Sequence, residues 1–214
     1  MDFAAERQLM VERQLRRRGI RDERVLAAMG SIPREEFVPE ELRYRAYYDE
    51  PVHIGEGQTV SQPYMTALMV ECAELQGTET VLDVGAGSGY HAAVLGALAA
   101  RVVAVELLPA LAALAQDNLR RAGVAGNIAV VCGDGSLGWP EEAPFDVISV
   151  AAAAPGVPPA LLEQLKDPGR LVIPVGDLEE QDLRVVTKCG GRILSRSLTG
   201  CRFVPLRGRQ GWQE

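Results

Sequence analysis

Three carboxylates and one glycine-rich turn carry most of the chemistry legible in this chain. Residues 81–90 read VLDVGAGSGY. The apolar run from Val81 to Val84 contains one acid, Asp83, and ends in Gly85-Ala86-Gly87-Ser88-Gly89 ahead of a helix-like stretch. Glycines at a strand–helix turn let the backbone approach a ligand closely and offer amide donors at a helix N-terminus. The dinucleotide fingerprint asks for a third glycine at position 90, where this chain has Tyr90. A carboxylate two residues before the turn would also repel a pyrophosphate. It suits a cationic ligand that lacks phosphate. S-adenosylmethionine, with its ammonium and sulfonium, has that character.

Two further acids reinforce the reading. Arg101 to Val105 reads as the next strand, and Glu106 stands at its end. That is about twenty residues past the first glycine, where a carboxylate can accept both ribose hydroxyls. Ile128 to Cys132 reads as a third strand, followed by Gly133-Asp134-Gly135. Asp134 can accept a bond from an adenine amino group. Each feature alone has a plain alternative, a tight turn with no ligand or a solvated loop acid. Together, at the C-terminal ends of successive strands, they converge on the crevice where open α/β sheets bind ligands.

Alternating elements must hold these groups in place. From residue 80 the pattern is strand 80–84, helix 89–99, strand 101–105, helix 109–122 and strand 128–132. Strand 145–150, helix 158–166 and strand 170–175 follow. This is the signature of an α/β fold with a doubly wound, mostly parallel sheet. Asp182 to Lys188 and Arg192 to Phe203 are strand-like and joined by Gly190-Gly191, so an antiparallel strand pair is expected to close the sheet edge. Upstream, residues 4–18 have helical spacing, ended by Gly19, and Asp22 can cap a second helix. Residues 51–63, PVHIGEGQTVSQP, read as an irregular loop, and such loops are often functional. Pro63 then opens a helix. One domain over 1–214 is expected, with 1–76 as the N-terminal helical and active-site loop segment and 77–214 as the cofactor-binding core with the C-terminal strands.

Composition sets the outer bounds. The 214 residues are 47% hydrophobic and carry a net charge of −7. That charge argues against broad nucleic-acid affinity, which rests on phosphate neutralisation by Lys and Arg. Arg16-Arg17-Arg18 is diluted by nearby acids and reads as a solvated helix end. No signal-like or membrane-spanning run occurs, so a cytoplasmic location is expected. The four cysteines form no CxxC pair and read as small buried apolar residues. The two histidines, His53 and His91, show no metal spacing. His91 follows the glycine loop and lies either near the cofactor or on a helix face with no role. P-loop and hydrolase-elbow motifs are absent.

Over nearly its full length the chain resembles the protein-L-isoaspartate O-methyltransferase family. The matching segments are MVERQLRRRGIRDERVLAAM (10–29), PREEFVP (33–39), AYYDEP (46–51), IGEGQTVSQPYM (54–65) and VLDVGAGSGYHAAVL (81–95). GDGSLGWPEEAPFD (133–146), LLEQL (161–165), LVIPVG (171–176) and FVPL (203–206) also match. The resemblance implies a class I, Rossmann-like methyltransferase fold. It implies methyl transfer from S-adenosylmethionine, leaving S-adenosylhomocysteine, to the free α-carboxylate of L-isoaspartyl residues in damaged proteins. The ester then closes to a succinimide, and the repair begins. By the family pattern Ser61 is the catalytic position, donating a hydrogen bond that orients the acceptor. Thr59, a second hydroxyl, and Gln62 are expected to bind substrate. Asp83, Gly85, Gly87, Ser88, Glu106, Asp134 and Gly135 are expected to line the cofactor, with no metal. The expected partners are isoaspartyl proteins and peptides, with no nucleic acid or membrane, and the chain is expected to be a monomer.

Two departures stand out. Ala151 replaces the Thr or Gly usual in related sequences, and Asp167-Pro168-Gly169 replaces Pro-Gly-Gly. A competing reading keeps the cofactor core and assigns a small-molecule or tRNA substrate. A third is a binding module that kept the fold without catalysis. The 54–65 segment favours the first reading, because generic methyltransferases lack it.

Overall fold

The computed structural model describes residues 1–213. A seven-stranded sheet, in the order β5-β4-β3-β6-β7-β8-β9, forms its centre. Its strands are β3 (Thr80–Val84), β4 (Arg101–Glu106), β5 (Ile128–Cys132), β6 (Phe145–Val150), β7 (Leu165–Gly176), β8 (Gln181–Cys189) and β9 (Arg192–Cys201). The first five run parallel, and β8 and β9 add antiparallel strands at one edge. The doubly wound architecture with its antiparallel C-terminal pair is therefore present.

Valine-rich central strands suit burial on both faces, and their side chains alternate between two cores. Val81, Val102, Ala104 and Val147 face one core with α4 (Tyr90–Gly96), α5 (Pro109–Arg121) and the N-terminal helices. Leu82, Val84, Val103, Val105, Ile148 and Val150 face the other, with Leu161 of α6 (Pro159–Glu163) and Leu206. A third cluster seats α3 (Pro63–Ala73) on β7 and β8 through Met65, Met69, Val172, Leu183 and Val185.

Several elements differ from the sequence reading. The 51–63 segment contains a small hairpin, β1 (Val52–Gly55) and β2 (Gln58–Val60). Its turn is made by Glu56 and Gly57, both at positive φ, and the glycines around it mask the alternation of buried Val52 and Ile54. The first helix is not uniform. α1 (Phe3–Met10) passes into a π-turn over Val11–Leu15 and a tighter turn over Arg16–Arg18. Gly19 ends it in the left-handed region at φ 99°, as its position predicts. Asp22 caps α2 (Glu23–Ser31) through the Arg24 amide.

The helix expected at 158–166 is shorter, because β7 begins at Leu165. Asp167 lies inside that strand, where its carboxylate accepts the amides of Gly190 and Gly191 at 2.8 and 2.6 Å. The departure at 167–169 thus ties down the β8–β9 turn. The cysteine expectation needs correction. Cys132 and Cys189 are exposed and Cys72 and Cys201 half-buried, because the first two stand at strand ends rather than in a core. Among the described residues, no helix is long and apolar enough to cross a membrane.

Candidate active site

The turn after β3 is fastened from beneath. Gly85 (φ 88°), Gly87 (φ 55°) and Gly89 (φ 90°) take conformations that side chains resist. The Gly85 amide donates to Val105 O at 2.9 Å, which locks the turn to β4. Glu106 completes the attachment. Its Oε2 accepts the Gly87 N–H at 2.8 Å and its Oε1 the Leu108 N–H at 3.0 Å. Each oxygen keeps a second acceptor position. Glu106 lines a crevice with Val84, Gly85, Gly87, Val105, Leu107, Leu108, Gly135, Ala151 and Ala152. The segment Val204–Arg207 closes one side of this crevice, and Gln58 and Thr59 from the hairpin overhang it.

Asp83 sits just below the turn and is fully buried. Neither carboxylate oxygen has a hydrogen-bond partner among the described residues. Burial pushes its carboxyl well above the usual carboxylate range, and the charge of Glu106 adds to the rise. Ser149 pairs with it across the parallel register, and the Ser149 hydroxyl lies 2.9 Å from His91 Nε2. His91 Nε2 is also 4.0 Å from Asp83 Oδ1. Desolvation lowers the His91 pKa to about 4, so the ring is neutral at physiological pH. His91 lines a small hollow beside the glycine turn. Ser88 Oγ is likewise buried and unpartnered. Ser88 and His91 line this hollow, which reaches the crevice through Gly85 and Gly87.

Asp134 is placed differently from the other two acids. Its Oδ1 accepts the Ser136 N–H at 3.0 Å and the Ser136 hydroxyl at 2.6 Å, and its Oδ2 accepts the Arg209 N–H at 2.8 Å. It faces an adjoining hollow with Leu107, Arg207 and Trp212 rather than the crevice itself. One acceptor position remains, on Oδ2. Gly135 does line the crevice, and a Cβ there would stand 2.7 Å from Val84 Cγ1.

The hydroxyl flap lies against the glycine turn. Ser61 and Thr59 line the small hollow together with Gly85 and Gly87. They also line an outer cavity with Gln62, Tyr64, Met65, Arg202 and Phe203. Thr59 and Ala151 border all three spaces, so they mark the junction between crevice and outer cavity. Ala151 leaves that junction without a hydroxyl of its own.

The sequence reading missed several groups here. Arg18 stacks its guanidinium 3.5 Å from the Tyr64 ring centroid, pairs with Asp49 and reaches the outer cavity. Only the loop fold brings residues 18, 49 and 64 together, so spacing gave no signal. Arg34 is fully buried and donates to the Ser61 carbonyl at 2.7 Å. A buried arginine cannot be recognised by its residue type, since arginine is ordinarily exposed.

The family model for protein-L-isoaspartate(D-aspartate) O-methyltransferase matches residues 5–211. The chain belongs to this family. A protein-L-isoaspartate O-methyltransferase of Methanoculleus marisnigri is 56% identical over 97% of this chain and 94% of its own length. One from Koribacter versatilis is 55% identical over 98% of this chain and 94% of its own. Among solved structures, a protein-L-isoaspartate O-methyltransferase superposes with a TM-score of 0.83 at 31% identity, covering 96% of this chain and 67% of that one. A Plasmodium falciparum protein-L-isoaspartate O-methyltransferase in complex with S-adenosyl-L-homocysteine gives 0.81 at 29% identity, covering 94% and 98%. As a family member, the chain is matched through both the glycine turn and the 54–65 flap.

Proposed function

We propose that this chain is a protein-L-isoaspartate O-methyltransferase that methylates the free α-carboxylate of L-isoaspartyl residues in damaged proteins and peptides. One observation carries the proposal. Two hydroxyls of the flap stand beside the glycine turn: Thr59 borders the crevice, the small hollow and the outer cavity, and Ser61 borders the last two. Family membership and the relatives' names support it.

The residues fit S-adenosylmethionine. Two buried groups without partners among the described residues, the Asp83 carboxylate and the Ser88 hydroxyl, suit an ammonium. Glu106 retains acceptor positions for ribose hydroxyls. Asp134 retains one for an adenine amino group, and Gly85, Gly87 and Gly135 supply the close walls. When bound, the cofactor supplies an electrophilic methyl group on sulfur.

The chain's own task is placement. An α-carboxyl has a reference pKa of roughly 3.3–3.7, so the acceptor is already an anion and no general base is required. Ser61 donates a hydrogen bond that aims one acceptor oxygen, with Thr59 and Gln62 holding the peptide beside it. Such positioning can supply about 7–11 kcal/mol at best. The apolar walls at Val84, Val105 and Leu206 exclude water while charge is neutralised.

We further read the chain as one domain and a monomer working in the cytoplasm without nucleic-acid or membrane partners. The net charge of −7 supports the nucleic-acid part. The deciding assay offers an isoaspartyl peptide and its normal aspartyl twin to the enzyme with labelled cofactor. Labelling of the isoaspartyl peptide alone is expected. Equal labelling of both, or of neither, returns the small-molecule or tRNA reading.

A further inference from the structure

Arg34 is a cation with no place to discharge. Its side chain is fully buried, yet among the described residues no carboxylate pairs with it. The neighbouring Glu35 is committed to Arg7 and to the Tyr47 hydroxyl. Nε of Arg34 donates to the Ala46 carbonyl at 2.7 Å, Nη2 donates to the Ser61 carbonyl at 2.7 Å, and Nη1 has no partner among the described residues. The guanidinium carbon lies 4.6 Å from the centroid of the Tyr90 ring.

This arrangement is expensive for a merely structural group. Arginine stays protonated in proteins, and burying an unpaired charge is costly. An apolar side chain would fill the same space without that cost. What an apolar side chain could not do is tie three parts of the site together. The rigid fork grips the flap at Ser61 and the preceding segment at Ala46. Its face rests on Tyr90, the first residue of the helix that follows the glycine turn. The peptide group after Ser61 is thereby fixed relative to the turn, and the Ser61 hydroxyl with it. That hydroxyl has no hydrogen bond of its own to the described residues, so its direction depends on the backbone beneath it.

We propose that Arg34 is the positioning residue of the acceptor site: it clamps the Ser61 backbone so that the hydroxyl meets the substrate carboxylate. The proposal rests on the reading of Ser61 as the group that orients the acceptor.

A double-mutant cycle on the full chain tests it, with R34K, S61A and the R34K/S61A pair. Lysine keeps the charge but not the fork. Turnover is followed with an isoaspartyl peptide, cofactor affinity by calorimetry and folding by thermal melting. The assay temperature is set well below the lowest midpoint. R34K is expected to lower kcat by roughly tenfold or more, as small misplacements at a reacting centre do. Its cofactor Kd and peptide KM should stay within about threefold of the parent, which separates placement from uniform binding. In the S61A background the same substitution should cost less than about twofold, because there is no hydroxyl left to aim.

An unchanged kcat in R34K, a fully multiplicative loss in the pair, or a cofactor Kd that rises in step with the loss in kcat overturns the proposal. Full turnover in S61A overturns the underlying reading of Ser61, and the clamp with it. A slow S61A beside a fast R34K removes only the clamp. If R34K has no cooperative melt, R34Q carries the same cycle. Failure of both to fold makes Arg34 a residue of the fold alone and overturns its positioning role.

Discussion

Glu106 Oε2 accepts the Gly87 amide at 2.8 Å, so the acid that ends β4 also holds the turn that follows β3. One side chain thus shapes the crevice and presents its free acceptor positions to it. Removing it should do two kinds of damage. Glu106→Ala is expected to weaken cofactor binding by tenfold or more, since charge-assisted bonds are worth roughly 1.5–3 kcal/mol each. Glu106→Gln should lose less, because its amide oxygen can still accept from one of the two backbone amides. Calorimetry decides, and unchanged affinity in the alanine variant removes Glu106 from the cofactor site.

Ser61 lines the small hollow beside the glycine turn and the outer cavity but not the crevice around Glu106. Ser61→Ala is therefore expected to cut turnover while cofactor affinity stays within about threefold. Thr59, bordering the same junction, should sustain a residual rate. Parallel steady-state and binding measurements check the split, and a parent-like kcat would end the assignment.

Asp83 predicts a pH dependence with a definite sign. Its folded-state pKa is raised above the reference value of 3.8, so without cofactor the folded protein keeps a proton that the unfolded chain releases. Stability is therefore lost as pH rises through 3.8 toward the folded pKa, and no penalty exists below that window. A cationic ligand needs the anion, so cofactor affinity should climb with pH until the raised pKa is passed. Asp83→Asn mimics the protonated acid. Without cofactor it should melt above the parent at neutral pH, with the gap closing near pH 4, and it should bind cofactor weakly at every pH. Scanning calorimetry and titration across pH test both halves. A parent-like pH profile in the variant would refute the assignment.

Gly135 is close-packed rather than strained. A methyl there would lie 2.7 Å from Val84 Cγ1, a β-branched core side chain with little freedom to yield. Gly135→Ala should cost about 1–3 kcal/mol, as overpacking of a core usually does. For a chain of this size that lowers the melting midpoint by roughly 2–4 °C per kcal/mol. Cofactor affinity should fall as well, because Gly135 is part of the crevice wall. A melting curve superimposable on the parent's would show that Val84 moves freely.

How much was legible beforehand varied with the range of the interaction. The strand–turn–helix unit at 80–96 rests on neighbours in sequence, and its elements lie where the apolar runs and glycines put them. The 51–63 hairpin looks irregular in sequence because positive-φ residues at 55–57 interrupt a strand pattern of only a few residues. From sequence, Asp134 is a candidate acceptor for an adenine amino group. The Arg209 amide of the tail takes one acceptor position on its Oδ2 and leaves one, and nothing near position 134 announces that donor. Arg34 and Arg18 give no signal in sequence because their partners lie 12 to 46 residues away.

The sequence by itself determined the class of fold, the glycine turn with its acids at strand ends, and the family. These follow from local periodicity and from motifs whose residues are adjacent. The tertiary structure alone decided which acid is solvent-starved and unpaired, which is satisfied by the tail, and which buried cation underlies the hydroxyl flap. Burial and pairing depend on what the folded chain brings from elsewhere, and desolvation acts on a side chain only once those distant segments have closed around it.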